Sequence, residues 1–464
     1  MSAIEPDRGQ EPALGQAKAL PKSDVSAGVG LAGLLGLLVW ILFCRTYPLT
    51  VELFDLPGPR AVLSGPYAAL TAMLFTAGPM AIWSLLVDRV HLRPSTGIDW
   101  SLKRSIADVL GVSLVKIAGL WATWILLAAL YCLCRWYWDG QYLFAMQVLA
   151  WAIVPMVVLS VPYVIWLDRY MVNPRDGTWH FGAMLIGREV FDGEQVKKHW
   201  RAWIIKGFFG AFMISILPGG WQQIVEADLA AIMANPVELG LLMIALLFVV
   251  DVQIGTVGYL FTLRPLDAHI RSGNPFLGGW LAALICYPPF VWGVIGHGQV
   301  LSYEHNIAGW GHWLAGNSTM LWMWAAWLIF LTAVYAWATV AFGIRFSNLT
   351  YRGVLTNGPY RFTRHPAYLS KNLFWWCSVM PFLVTNESMA DAIRNTFFLL
   401  AVNAIYYWRA RTEEAHLLAE DPKYREYYDW MEENGAITAP LAKLKRRIMS
   451  RGHRADGPAA EPAE

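Results

Sequence analysis

Ala27-Gly-Val-Gly-Leu-Ala-Gly-Leu-Leu-Gly-Leu-Leu-Val-Trp-Ile-Leu-Phe-Cys44 runs from end to end without a charged residue. As a helix it is long enough to cross a bilayer's hydrocarbon core, which takes about 17–25 residues. Apolar runs of the same kind recur near 67–87, 107–134, 142–166, 207–221, 236–262, 276–296, 320–344, 372–385 and 395–408. The fifth and the last two are short, and 372–385 with 395–408 reads as a hairpin that barely crosses or re-enters. The pattern predicts an all-α integral membrane protein with about ten transmembrane helices. Composition agrees: the 464 residues are 56% hydrophobic and 15% charged, against about 25% charged in an ordinary soluble domain. So little charge cannot cover a water-facing surface, which makes lipid the main solvent. Disorder, collagen and a small disulfide scaffold are excluded on the same grounds. A net charge of +2 gives no case for nucleic acid, and five Cys form no framework.

The cations set an orientation. With the N-terminus cytoplasmic, 31 of the 36 Lys and Arg fall in the tail, in 88–106, 167–206, 263–275 and 345–371, and from 409 onward. Four lie on the other side, and Lys116 sits within a span. Such alternation predicts both termini in the cytoplasm, the expected location being a bacterial inner (plasma) membrane. The organisation expected is a flexible cytoplasmic tail over 1–26, too polar and acidic for a cleavable signal, then a multi-span region over 27–319 of unassigned role. A membrane core over 320–435 and a basic, then disordered, tail over 436–464 complete it. Lys116 and Asp251 are ionisable groups inside spans, read either as functional or as polar contacts between helices. The loop 167–206 is open to two readings, a lid over the core or a surface for anionic lipid.

Chemistry concentrates in two places. Asn348-Leu-Thr-Tyr-Arg-Gly-Val-Leu-Thr-Asn-Gly-Pro-Tyr-Arg-Phe-Thr-Arg-His-Pro-Ala-Tyr368 carries a turn at Asn357-Gly358-Pro359, where Gly358 permits positive φ. Arg364-His365-Pro366 then sets a cation and an imidazole at a helix start, where an anion is favoured. The second cluster, Tyr406-Tyr-Trp-Arg-Ala-Arg-Thr-Glu-Glu414, puts Tyr406, Arg409 and Glu413 on one helix face. Glu414 points about 100° away, toward a different partner. Tyr424–Trp430 reads as an amphipathic interfacial helix. His297, His305 and His312 are irregularly spaced on the other side, and no metal site is expected.

Gly358-Pro-Tyr-Arg-Phe-Thr-Arg-His-Pro-Ala-Tyr368, the hairpin, Arg411-Thr-Glu-Glu414 and Tyr424…Tyr428 together resemble the C-terminal core of the isoprenylcysteine carboxyl methyltransferase and phospholipid methyltransferase superfamily, over about 320–435. Where members often carry Gly shortly after the motif's Tyr, this chain has Ser370-Lys371-Asn372. The resemblance implies an S-adenosylmethionine-dependent methyltransferase. Tyr360, His365, Pro366, Tyr368 and Tyr406 would shape the cofactor pocket, Glu413 or Glu414 would bind the cofactor's amino group, and Arg364, Arg409 or Arg411 would be catalytic, facing a carboxylate. The acceptor would be a lipid or lipidated (isoprenylcysteine-like) group reached from the cytoplasmic leaflet. The nucleophile stays open between carboxylate, amine and thiol, as does the oligomeric state. Two alternatives stand beside it: an NADPH-dependent oxidoreductase resembling sterol reductases, and a non-catalytic lipid-binding or transport protein. Sterol reductases tend to pair Arg-Arg with Asp-Glu where this chain has Arg411-Thr412-Glu413-Glu414, which favours the methyltransferase.

Overall fold

A computed structural model describes residues 19–187 and 190–455. Helices α1 (Ala27–Leu53), α2 (Pro66–Ile82), α3 (Ile106–Leu133) and α4 (Tyr142–Asp168) come first. They are followed by α5 (Gly177–Ile186), α6 (Gly193–Ile216), α7 (Trp221–Glu226), α8 (Leu229–Ile232) and α9 (Pro236–Leu260). Then come α10 (Leu277–Leu284), α11 (Trp310–Trp313), α12 (Ser318–Phe342), α13 (Pro366–Val379), α14 (Met389–Glu420), α15 (Pro422–Asn434) and α16 (Thr438–Ala455). The described strands are β1 (Ser272–Gly273) and β2 (Thr350–Tyr351), paired antiparallel with Ser272 opposite Tyr351.

Among the described residues, seven helical stretches are long and apolar enough to cross a membrane. They are Ala27–Leu53, Pro66–Val87, Ile106–Leu133, Tyr142–Asp168, Gly193–Glu226, Pro236–Leu260 and Ser318–Arg345. Their starts are written in the sequence. Ser105 and Asp108 close a capping box on α3, Asn235 caps α9 ahead of Pro236, and Asn317 caps α12. Glycine lets the helices approach closely: a Cβ on Gly30 of α1 would lie 1.9 Å from the Val340 carbonyl oxygen of α12. The core between α1, α2, α9 and α12 is apolar, built on Leu37, Ala72, Met80, Ile254, Val257 and Val340.

Several expectations are corrected. The run 276–296 is not one span: α10 stops at Leu284, and Pro288 and Pro289, without backbone donors, follow. At about 1.5 Å per residue, the 14 residues of α13 fall short of a crossing. The expected span 207–221 begins earlier, because α6 already starts at Gly193. Residues 19–26 do not form a loose tail. Asp24 N–H donates to the Val354 carbonyl (2.9 Å), Val354 N–H donates to Asp24 Oδ2 (2.7 Å), and Thr356 Oγ1 donates to the Pro21 carbonyl (2.7 Å). The rest of that expected tail, 1–18, lies outside the described residues, as does 456–464. The basic stretch after 436 is helical through α16. In α15, Tyr424, Tyr427 and Met431 are buried against Tyr351 and Val354 rather than turned to lipid. Lys116 is a helix-to-helix contact, 2.6 Å from Asp168 and 3.3 Å from Asp176. Within 167–206, α5 packs on α3 and α6.

Candidate active site

The chain leaves α12 through a short 3-10 turn, Gly343–Arg345, and two buried arginines fix the loop that follows. Arg345 pairs with Asp267 at 2.6 Å and donates to the Arg352 carbonyl at 3.0 Å. Arg352 donates to the carbonyls of Gly258 (2.8 Å), Phe346 (2.9 Å) and Ile344 (3.2 Å), and to that of Ala268. A guanidinium offers five donors in a rigid fork, so one side chain can tie several carbonyls of an irregular loop. Gly358 takes φ +56°, and a Cβ there would sit 3.1 Å from Ala341 Cβ. His365 then caps α13, with Pro366 at its first position, as the sequence suggested.

Two adjacent carboxylates on α14 divide the work. Glu414 is 3% exposed, and both its oxygens are taken. Oε1 lies 2.7 Å from Arg364 Nε and 3.0 Å from His365 Nε2, and Oε2 lies 2.5 Å from Arg411 Nη1. Burial by itself would raise its pKa, but the His365 hydrogen bond and charge, with Arg364 and Arg411, hold it down at about 2. Arg364 also reaches Glu432 of α15 at 2.8 Å, with its guanidinium 3.9 Å from the Tyr428 ring centre. Glu414 therefore joins α13, α14 and α15.

Glu413 faces the other way. Its Oε1 accepts from Tyr368 Oη (2.5 Å) and from Arg409 Nε (3.3 Å). Its Oε2 makes no hydrogen bond among the described residues. Arg409, 3% exposed, donates to Asn348 Oδ1 at 2.6 Å and to Tyr287 Oη at 3.4 Å. Asn348 Nδ2 in turn donates to Tyr287 Oη at 3.1 Å. The Arg409 guanidinium stands 5.1 Å from the Tyr368 ring centre and 5.3 Å from that of Tyr287.

These groups line a cavity of about 170 Å³. Of the residues picked from sequence, Tyr360, Arg364, His365, Tyr368, Tyr406, Arg409 and Glu413 all line it. Three do not. Pro366 shapes the helix start, Glu414 is enclosed by its cations, and Arg411 lies outside, with its side chain 46% exposed. The sequence reading missed Tyr287, Tyr335, Asn348, Arg352 and Lys371 as lining residues. Lys371, one residue ahead of the apolar hairpin and part of the Ser370-Lys371-Asn372 departure from the motif, was the one detectable signal. Its ammonium stands 5.7, 5.1 and 5.4 Å from the ring centres of Tyr335, Trp375 and Tyr406, so these rings already accommodate a cation.

With this geometry in view, one family match bears on the site. A model for a family described as a protein of unknown function (DUF1295) matches residues 306–430. That family is distantly related to steroid 5-alpha reductase- and methyltransferase-like membrane proteins. No curated protein and no solved structure matches the chain. The matched stretch supplies most of the cavity wall, but Tyr287 and Val25, which also line it, lie outside that stretch.

Proposed function

We propose that the chain is a membrane-embedded S-adenosylmethionine-dependent methyltransferase that modifies a lipid or lipidated acceptor from the cytoplasmic side. The observation that carries this reading is the Glu413–Arg409 pair, a carboxylate with one oxygen still open beside a buried cation, walled by aromatic rings. The donor set suits a zwitterionic sulfonium. Glu413 Oε2 would take its ammonium, Arg409 would take its carboxylate, and the Tyr368 and Tyr406 faces would take its positive sulfur. S-adenosylmethionine, when bound, supplies a methyl group whose carbon–sulfur bond breaks toward sulfur as an acceptor lone pair forms the new bond.

The protein's own part is orientation and dryness. Tyr368 and Arg409 fix the Glu413 carboxylate, and Asn348 and Tyr287 fix the Arg409 fork, so little reorganisation is left for the moment of reaction. A carboxylate acceptor needs no base. An amine acceptor loses a proton, and His365, the one imidazole on the α13 side of the cavity, is placed to receive it. The cation count of the loops supports cytoplasmic access.

A second reading, the NADPH-dependent oxidoreductase, is favoured by one observation. Arg345, Arg352, Arg364, Lys371 and Arg409 line the cavity against Glu413, and such an excess suits phosphates. Asp267, Glu414 with Glu432, and backbone carbonyls already occupy three of those arginines, which leaves the methyltransferase ahead. Thermal unfolding of purified protein separates the two. S-adenosylmethionine at a hundredfold excess over its Kd should stabilise by about 2.7 kcal/mol, with S-adenosylhomocysteine competing. Stabilisation by NADPH alone would replace the methyltransferase with the reductase.

A further inference from the structure

Three helices carry matched stripes that run from an apolar groove into the polar cavity. On α9, Val237, Leu241, Ile244, Phe248 and Asp251 recur at alternating steps of four and three residues and so share one face. Leu328, Tyr335 and Thr339, at steps of seven and four, share a face of α12, and Ser378, Phe374 and Lys371, at steps of four and three, share one of α13. The first part of each stripe lines a groove of about 540 Å³. The last part changes character. Asp251 accepts from Tyr335 Oη at 3.0 Å and from Thr339 Oγ1, and Tyr335, Thr339 and Lys371 line the main cavity. Phe248 stands between the two spaces, its ring centre 5.9 Å from that of Tyr335 and 6.5 Å from that of Phe374. Groove and cavity are thus about two helical turns apart along α12, from Leu328 to Tyr335, and one turn apart along α13, from Phe374 to Lys371.

Lys371 is the unmatched element. Its ammonium stands over three rings but makes no hydrogen bond or ion pair among the described residues. Asp251 is near enough to be felt electrostatically, yet it spends its oxygens on the two hydroxyls. Lys371 lines the cavity with three donors unused, and an ammonium so placed is a ready partner for an anion, since charge-assisted hydrogen bonds are the strong ones. A hydrocarbon chain, by contrast, gains little by moving from bilayer to an equally apolar groove. Preference for one lipid over another must therefore come from the head.

We propose that the α9–α12–α13 groove holds the chain of a lipid whose anionic head, carboxylate or phosphate, is bound by Lys371. The inference rests on the methyltransferase reading only in making that lipid the acceptor. As a binding site it stands alone.

Photolabelling of the purified full-length protein in nanodiscs tests it. The probes are a diazirine-bearing fatty acid, its methyl ester, and a diazirine-bearing lysophosphatidic acid. The expected result is saturable labelling of peptides covering 237–248 and 371–378 by the acid, at least about tenfold above the ester, as a charge-assisted hydrogen bond implies. Comparison of fatty acid with lysophosphatidic acid tells carboxylate from phosphate. Lys371→Met should erase the acid-over-ester ratio, Lys371→Arg should keep it, and Ile244→Trp should lower labelling by both. Equal labelling by acid and ester in the parent protein would overturn the proposal, as would unsaturable labelling of every lipid-facing helix. Binding of S-adenosylmethionine is measured on the same preparation by calorimetry. Head-selective labelling without that binding leaves the lipid site standing and removes the methyltransferase.

Discussion

Arg364 Nε and Glu414 Oε1 lie 2.7 Å apart, bridging the loop ahead of α13 to the far end of α14. Glu413, the next residue back, turns its carboxylate into the cavity instead. Neighbouring acids of one chemistry thus hold two positions, one enclosed by two arginines and an imidazole and one half open.

Glu414→Gln should act on stability. It strands Arg364 and His365 in a buried setting, and breaking such a pair costs about 3–5 kcal/mol. Glu413→Gln should leave the unfolding temperature within a few degrees of the parent and weaken S-adenosylmethionine binding by roughly thirtyfold or more, as loss of one partner of a charged pair does. Thermal unfolding and calorimetry on both variants check this. Equal loss of stability would return Glu414 and Glu413 to a single role.

Acid should loosen the α14 end in two steps. His416 bonds Ser272 Oγ at 3.0 Å, lies 3.7 Å from Glu420 and has Arg201 nearby. Burial, with Arg201 adding to it, lowers its pKa from 6.5 to about 4. Below pH 6.5 the unfolded chain therefore takes a proton that the folded one refuses, and stability falls until about pH 4. Glu414, at about 2 against a usual 4.5, contributes stability above pH 4.5 that is lost as pH drops toward 2. Each group is worth roughly 3 kcal/mol over its window. Unfolding temperature measured from pH 7 downward should fall in both windows, and His416→Gln should flatten the first.

Tyr368→Phe should be mild for folding and visible in binding. It removes one hydroxyl donor to Glu413 while Arg409 remains, a change of about 1 kcal/mol in stability. Affinity for the methyl donor should drop several-fold, with maximal turnover retained within about tenfold. Titration calorimetry with S-adenosylhomocysteine reads the first, and transfer of labelled methyl to a lipid extract reads the second. An unchanged affinity would remove Tyr368 from the pocket.

Topology is checked in a background without the native cysteines. Arg361→Cys, exposed in the cavity loop, should resist an impermeant thiol reagent in intact cells. Val300→Cys, 70% exposed, should react. The reverse would place the cavity on the outer side.

What could be read ahead of the structure depended on local chemistry. Apolar runs, the positive φ at Gly358, Pro366 at the head of α13 and the 100° between Glu413 and Glu414 are all set within one turn of chain. The rest needed partners far away. Tyr287 enters the cavity only because the run 276–296 breaks ahead of two prolines. Tyr424 and Tyr427 look interfacial until Tyr351 and Val354 arrive to cover them. Lys371 was noticed only as a departure from a motif, since its meaning lies in rings from α12, α13 and α14.

Residues 21–25 carry a consequence for how the molecule is made. Asp24 holds Lys423 at 2.6 Å across 399 positions, and Val25 contributes to the cavity wall. During synthesis the lead-in to the first span must therefore wait, with its hydrogen bonds lent to water, until nearly the whole chain has emerged. The pocket is closed last, by the part translated first. A fragment limited to the stretch that the family model covers would be born with one wall missing.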